Sequence, residues 1–192
     1  MLYPRTDPHW TAIGAFIAYQ RLADEISRVA PMHRVVEEDV IFIETTLVGE
    51  LGFKVEPQME APGASVAVKR PTAYLVADNC VNNTGSMLIT ECPEAPPGTC
   101  VVLGDSYSDA LSLYLAASFR KYVYAYTPRM DYDLVREHRP DVVVTVLNER
   151  FMITPPDDLR GQSVRELEHE KKAHGLLREE TPVFQRRPAA QP

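Results

Sequence analysis

Apolar residues recur at spacings of three and four through residues 11–30: Ala12, Ala15, Tyr19, Leu22, Ile26 and Val29 fall on one face and predict an amphipathic helix. Thr11 is placed to cap its start, and Pro31 lies just past its end. Val35, Val36, Val40, Ile41, Phe42 and Ile43 then predict a strand over 34–46. From 50 to 65 the pattern dissolves around Gly52, Pro57, Pro62 and Gly63, and a loop is expected. Apolar runs at 66–76 and 87–90 fit strands, separated by the turn-rich Asp78-Asn79-Cys80-Val81-Asn82-Asn83-Thr84-Gly85.

The second half alternates more cleanly. Residues 100–103 form an apolar run into Gly104, 109–119 read as a helix, and 122–126 as a strand. Residues 132–139 form a short helix stopped by Pro140, and 142–147 are β-branched and apolar, as in a strand covered on both faces. Strand, helix, strand, helix, strand predicts an α/β fold with helical crossovers. Residues 161–180 read as a charged, solvated helix, and the proline-containing tail, 181–192, is expected to be mobile. No internal repeat is present.

Composition narrows the function classes. A chain of 192 residues, 45% hydrophobic and 24% charged, suits one ordinary globular domain rather than a disordered one. Its formal charge of −7 argues against nucleic-acid binding. No apolar run approaches the ~18 residues of a membrane span, and residues 1–11 contain no secretory apolar core. Cys80, Cys92 and Cys100 form no CxxC pair, which argues against a zinc finger or thioredoxin-like site. An odd count allows at most one disulfide, and three small buried apolar residues are the simpler reading. His169 and His174 flank Glu170 like a zinc-protease motif. Their separation of one residue too many puts them about 140° apart on a helix, so no metal site is expected. His33 and His138 have no metal-ligand partner nearby in sequence.

Two segments could carry chemistry. In Val101-Val102-Leu103-Gly104-Asp105-Ser106-Tyr107-Ser108 a serine stands just past a strand and ahead of a helix, where α/β active sites form. Amides at the helix start could stabilise an oxyanion. Position 108 is serine, so this is not a Gly-x-Ser-x-Gly elbow, and the segment also reads as an ordinary turn plus cap. In Thr6-Asp7-Pro8-His9-Trp10 the proline favours an extended chain, which turns Asp7 and His9 to the same side. A carboxylate could then orient an imidazole, leaving the other ring nitrogen to take a proton from a serine. An Asp-Pro turn packed at a helix start is the alternative.

Together, Thr6-Asp7-Pro8-His9-Trp10-Thr11 with Gly14-Ala15, followed by Val102 through Ser108, resemble the SGNH-hydrolase-like domain of alginate O-acetyltransferases of the AlgJ/AlgX type. Gly49-Glu50-Leu51-Gly52, Arg139-Pro140-Asp141-Val142-Val143 and Asn148-Glu149-Arg150-Phe151 add to the likeness, which runs from about residue 3 to 159. The resemblance implies an SGNH-hydrolase-like, flavodoxin-like three-layer sandwich with a mainly parallel sheet over residues 1–160. It implies Ser106 as nucleophile, His9 as general base and Asp7 as the residue orienting it. The expected activity is O-acetyl transfer through an acetyl-serine to an exported or cell-surface polysaccharide. A carbohydrate esterase with the same residues and a non-catalytic carbohydrate-binding remnant are the alternatives. Tyr107 and Ser106 amides are the expected oxyanion donors, with Asn82, Asn83 and Arg150 as further binding candidates. No cofactor is implied. The implied partners are an acetyl donor, delivered by a membrane-bound O-acyltransferase, and the polysaccharide, and the implied location is the periplasm or cell envelope. Family domains carry a sheet strand before the Asp-x-His-Trp segment. Here that segment starts at residue 7, so an N-terminally shortened domain is expected. The negative charge disfavours a polyanionic glycan unless Arg5, Arg129 and Arg150 converge on the site.

Overall fold

A computed structural model describes residues 2–153, 155–181 and 183–188. Helix α1 (Ala12–Ile26) starts where expected, with the Thr11 hydroxyl accepting from the Gly14 amide at 3.1 Å. It stops earlier than predicted, at Ser27, and Val29 is 74% exposed rather than on the buried face. Ala15, Tyr19, Ala23 and Ile26 make that face.

Strand β1 (Val40–Leu47) begins six residues after the predicted start, because the acidic Glu37–Asp39 forms a 3-10 turn in which the Asp39 carboxylate caps the Val36 amide. After the four-residue helix α2 (Gly49–Gly52) comes β2 (Ala61–Val68), where a loop was expected over 50–65. The two strands pair antiparallel as a separate two-stranded sheet. Pro62 and Gly63 are tolerated because β2 has a partner on one side only, and an edge strand can spare an amide. The apolar run at 66–76 is not one strand. It is cut at Pro71 into the end of β2 and β3 (Tyr74–Asp78).

The main sheet has the order β3-β4-β6-β5-β7, with β4 (Met87–Glu91), β5 (Thr99–Gly104), β6 (Lys121–Tyr126) and β7 (Val142–Val146). β5 pairs in parallel with both β6 and β7, while β4 runs antiparallel to β3 and β6. Four strands therefore point one way and β4 the other, making a mixed but mostly parallel sheet. Helices α3 (Tyr107–Ser118) and α4 (Tyr132–His138) are the predicted crossovers.

β5 alternates between two cores. Cys100 and Val102 join the larger cluster with Tyr19 of α1, Tyr114 and Leu115 of α3, and Tyr122. Val101 and Leu103 join Val123, Ala125 and Leu134 of α4 in the other, completed by Val164 at the start of α5 (Val164–Ala173). Tyr19 ties the larger core together: its hydroxyl accepts from the Val35 amide at 2.8 Å and lies 2.9 Å from Ser118 Oγ.

The chain after α5 is anchored, where its composition predicted mobility from residue 181. Val81 bridges Leu177, the Leu75 amide donates to the Gln185 carbonyl at 2.9 Å, and Phe184 packs on the larger core. The physical reason is Asp78. Its fully buried carboxylate accepts from both terminal nitrogens of Arg178 at 2.9 Å and from the Thr181 amide. Residues 182 and 189–192 of that tail lie outside the described residues. Cys92 and Cys100 are buried free thiols; Cys80 is only half-buried.

Candidate active site

β5 is the first strand of the parallel unit, with β6 on one side and β7 on the other. The chain's direction across the sheet therefore reverses at the C-terminal end of β5, where a crevice opens in sheets of this kind. Ser106 stands there. A Cβ on Gly104 would come 2.2 Å from Ser108 Oγ and 2.6 Å from the Val146 carbonyl, so only glycine lets the turn pack this closely. Asp105, 1% exposed, then locks the turn: one carboxylate oxygen accepts from the Tyr107 amide at 2.9 Å, the other from the Asn148 amide at 2.7 Å. Ser106 occupies the cap position of α3 without its side chain capping the helix, which leaves Oγ available.

The Asp7-Pro8-His9-Trp10 segment is brought against this turn from 97 positions away. His9 Nε2 lies 2.7 Å from Ser106 Oγ, and His9 Nδ1 lies 2.8 Å from Asp7 Oδ1. Asp7 is held in turn. Its Oδ1 also accepts from the His9 amide, and its Oδ2 from the Glu50 amide at 3.0 Å. Gly49, at φ +65°, permits that approach, since a Cβ there would sit 2.4 Å from the Thr6 carbonyl. Burial alone would raise the Asp7 carboxyl, but the amides of His9 and Glu50 and the His9 ring together hold it below its ordinary value. With Nδ1–H donated to Asp7, Nε2 is the nitrogen that can accept the serine proton.

Tyr107 has a different place from the one predicted. Its amide is spent on Asp105 and is not an oxyanion donor. Its hydroxyl donates to the Pro8 carbonyl, and its ring packs on His9 and Trp10 with centroids 5.2 and 5.3 Å away. Tyr107 thus fastens the histidine segment to α3.

The Ser106–His9 pair opens into a cavity of about 840 Å³. Asn82, Asn83 and Ser86 line it; Arg150 does not, and its guanidinium stacks instead over Phe151. Arg5 and Arg129 are also absent from the lining, so the three arginines do not converge. Asp109, Tyr124, Tyr126, residues 178–181, Val183 and Phe184 line the cavity and were not singled out from the sequence. Asp109 could have been found, because it lies one helical turn beyond Ser106. The tail had no such signal. His169 and His174 are exposed and outside the cavity. Among the described residues no cluster of metal-binding side chains is present.

The fold and this site define a mixed α/β domain with an aspartate, histidine and serine in hydrogen-bonded sequence at its sheet crevice. Solved structures share the fold. PatB1 of Bacillus cereus superposes with a TM-score of 0.65 at 17% identity, covering 84% of this chain and 66% of that one. A second PatB1 structure, with a sulfonyl adduct, gives 0.62. A DHHW family protein from Eubacterium siraeum gives 0.55 at 15% identity, covering 93% of this chain and 65% of that one. The chain thus spans slightly less than two thirds of the length of the proteins it superposes on. No protein-family model and no curated protein sequence matches the chain.

Proposed function

We propose that the chain is a serine-dependent O-acetyltransferase acting on polysaccharide hydroxyl groups, built on the SGNH-type three-layer plan. The observation that carries this reading is the 2.7 Å contact between His9 Nε2 and Ser106 Oγ, with Asp7 on the other ring nitrogen. In the first half-reaction Ser106 Oγ attacks the carbonyl carbon of an acetyl donor ester or thioester while its proton passes to His9 Nε2. The donor's C–O or C–S bond breaks, the leaving group takes that proton from His9, and acetyl-Ser106 remains. In the second, an acceptor hydroxyl attacks acetyl-Ser106 and gives its proton to His9. The Ser106 ester bond breaks, Oγ recovers the proton, and the acceptor leaves acetylated. Asp7 keeps His9 in the tautomer both steps need. Since Asp105 occupies the Tyr107 amide, the amide of Ser106 itself is the proposed donor to the oxyanion.

No helix of the described residues is long and apolar enough to cross a membrane. A membrane-bound O-acyltransferase is proposed as the source of acetyl groups, with the chain working in the cell envelope.

Reaction with a sulfonyl fluoride, followed by intact mass, tests the nucleophile without knowledge of donor or acceptor. One adduct is expected on the wild-type chain, none on Ser106→Ala, and a rate at least about a hundredfold lower on His9→Ala. A folded wild-type chain that takes no adduct would overturn the reading.

A further inference from the structure

The charged residues lining the cavity are mostly acidic. Glu50, Asp109, Glu179 and Glu180 line it, and among the described lining residues Arg178 is the only lysine or arginine. That guanidinium is already committed, donating to both oxygens of Asp78 and to the Glu179 carbonyl. Glu180 pairs with Arg186, but no salt bridge among the described residues reaches Glu50, Asp109 or Glu179. Asp109 projects from the first turn of α3, one turn beyond Ser106, and is open to the cavity. The protein crowds it from the other sides. This burial pushes its carboxyl above the ordinary value, against the Tyr124 hydroxyl and the charges of His9 and Arg178, which pull it down. Trp10 and Tyr126 add aromatic surface to the lining, which suits a ring with hydroxyls at its edge.

We infer that this cavity selects an acyl acceptor carrying no negative charge, a neutral or amino-bearing sugar hydroxyl, and that Asp109 sets the selection. The inference rests on the acyl-transfer reading above. Asp109 accepts a hydrogen bond from an acceptor hydroxyl or ammonium group and, with Glu50 and Glu179, repels a carboxylate or phosphate from the space beside His9 and Ser106. All three carboxylates are solvent-exposed, so this repulsion is strongest at low ionic strength. Refusing the wrong charge is as effective a source of specificity as attracting the right one.

The test separates the two half-reactions on the full chain. Acetyl-Ser106 is formed with p-nitrophenyl acetate and followed by intact mass at mildly alkaline pH. It is then challenged with a cello-oligosaccharide, a chitosan oligosaccharide or an oligouronate of equal length. The first two are expected to discharge the acetyl group, with acetylated product, at least about tenfold faster than the uronate. That preference should shrink in Asp109→Asn and, separately, in Glu179→Gln. A uronate that serves as well as the others overturns the inference, as does a preference that neither variant alters. So does an acetyl-Ser106 that no acceptor discharges faster than water. Failure to form acetyl-Ser106 at all removes the acyl-transfer reading itself, and the inference with it.

Discussion

Asp7 shows how much of the site is decided by single atoms. It accepts from the His9 amide, the His9 ring and the Glu50 amide, and two of these three bonds come from within its own tetrapeptide. Asp7→Asn preserves the shape but removes the charge that favours the working tautomer and the imidazolium. Sulfonylation of Ser106 should slow by about 10²- to 10⁴-fold. The stability effect has a definite sign. The Asp7 carboxyl is held below its ordinary value in the folded chain, so its contribution is present above the unfolded value, about 4, and is lost as pH falls through the lowered one. Urea denaturation over a pH series should show the wild type losing its advantage over Asp7→Asn on acidification. The third bond depends on Gly49. Gly49→Ala combines a left-handed φ of +65° with a 2.4 Å clash at the Thr6 carbonyl. It should cost about 2 kcal/mol or more in denaturant unfolding and slow Ser106 labelling as well.

At the scale of elements, local pattern and tertiary context part company. The β5-α3-β6-α4-β7 unit follows its periodicities because each element buries a face defined by its own spacing. β2 was misread because Pro62 and Gly63 weaken a strand in general, and only its edge position makes them acceptable. The contacts of the segment after α5 have no signal in its own sequence, because it has little to bury by itself and its hold comes from Asp78, 100 positions earlier. Burial would raise the Asp78 carboxyl, but Arg178 and the amides of Thr181 and Cys80 hold it below its ordinary value. Its contribution is therefore also lost as pH falls through that lowered value. Asp78→Asn leaves the half-exposed Arg178 without its counter-charge and should destabilise the chain by about 2 kcal/mol. Limited trypsin digestion at neutral pH checks the local effect: cleavage near Arg186 and Arg187 should quicken in Asp78→Asn, whereas the wild-type contact should weaken only as pH falls below about 4.

Over the whole molecule, the cavity joins parts made by distant stretches of chain: the N-terminal Asp-Pro-His-Trp segment, the β5–α3 turn, and a wall of residues 178–181 with Val183 and Phe184. The reacting pair and the acceptor wall are carried by different pieces, which predicts separable losses. Truncation after Gly175 should expose the β3 edge and lower the unfolding midpoint, yet sulfonylation should still occur at Ser106 while acceptor-dependent acetyl discharge fails. Loss of labelling in a truncated chain that keeps its circular-dichroism spectrum would contradict this division. The sequence by itself determined the α/β alternation, the cap at Thr11, and the pairing of Asp7 with His9 in one extended segment, because these are set by spacings of two to four residues. It also carried enough of a familiar pattern to put Ser106, His9 and Asp7 together. Only the tertiary structure decided that the Tyr107 amide is taken by Asp105, that Gly49 opens the way to Asp7, and that the tail walls an acidic cavity with Asp109 in it. Those outcomes depend on which buried donor meets which acceptor, and on charges gathered from remote segments into one cavity, neither of which has a period along the chain.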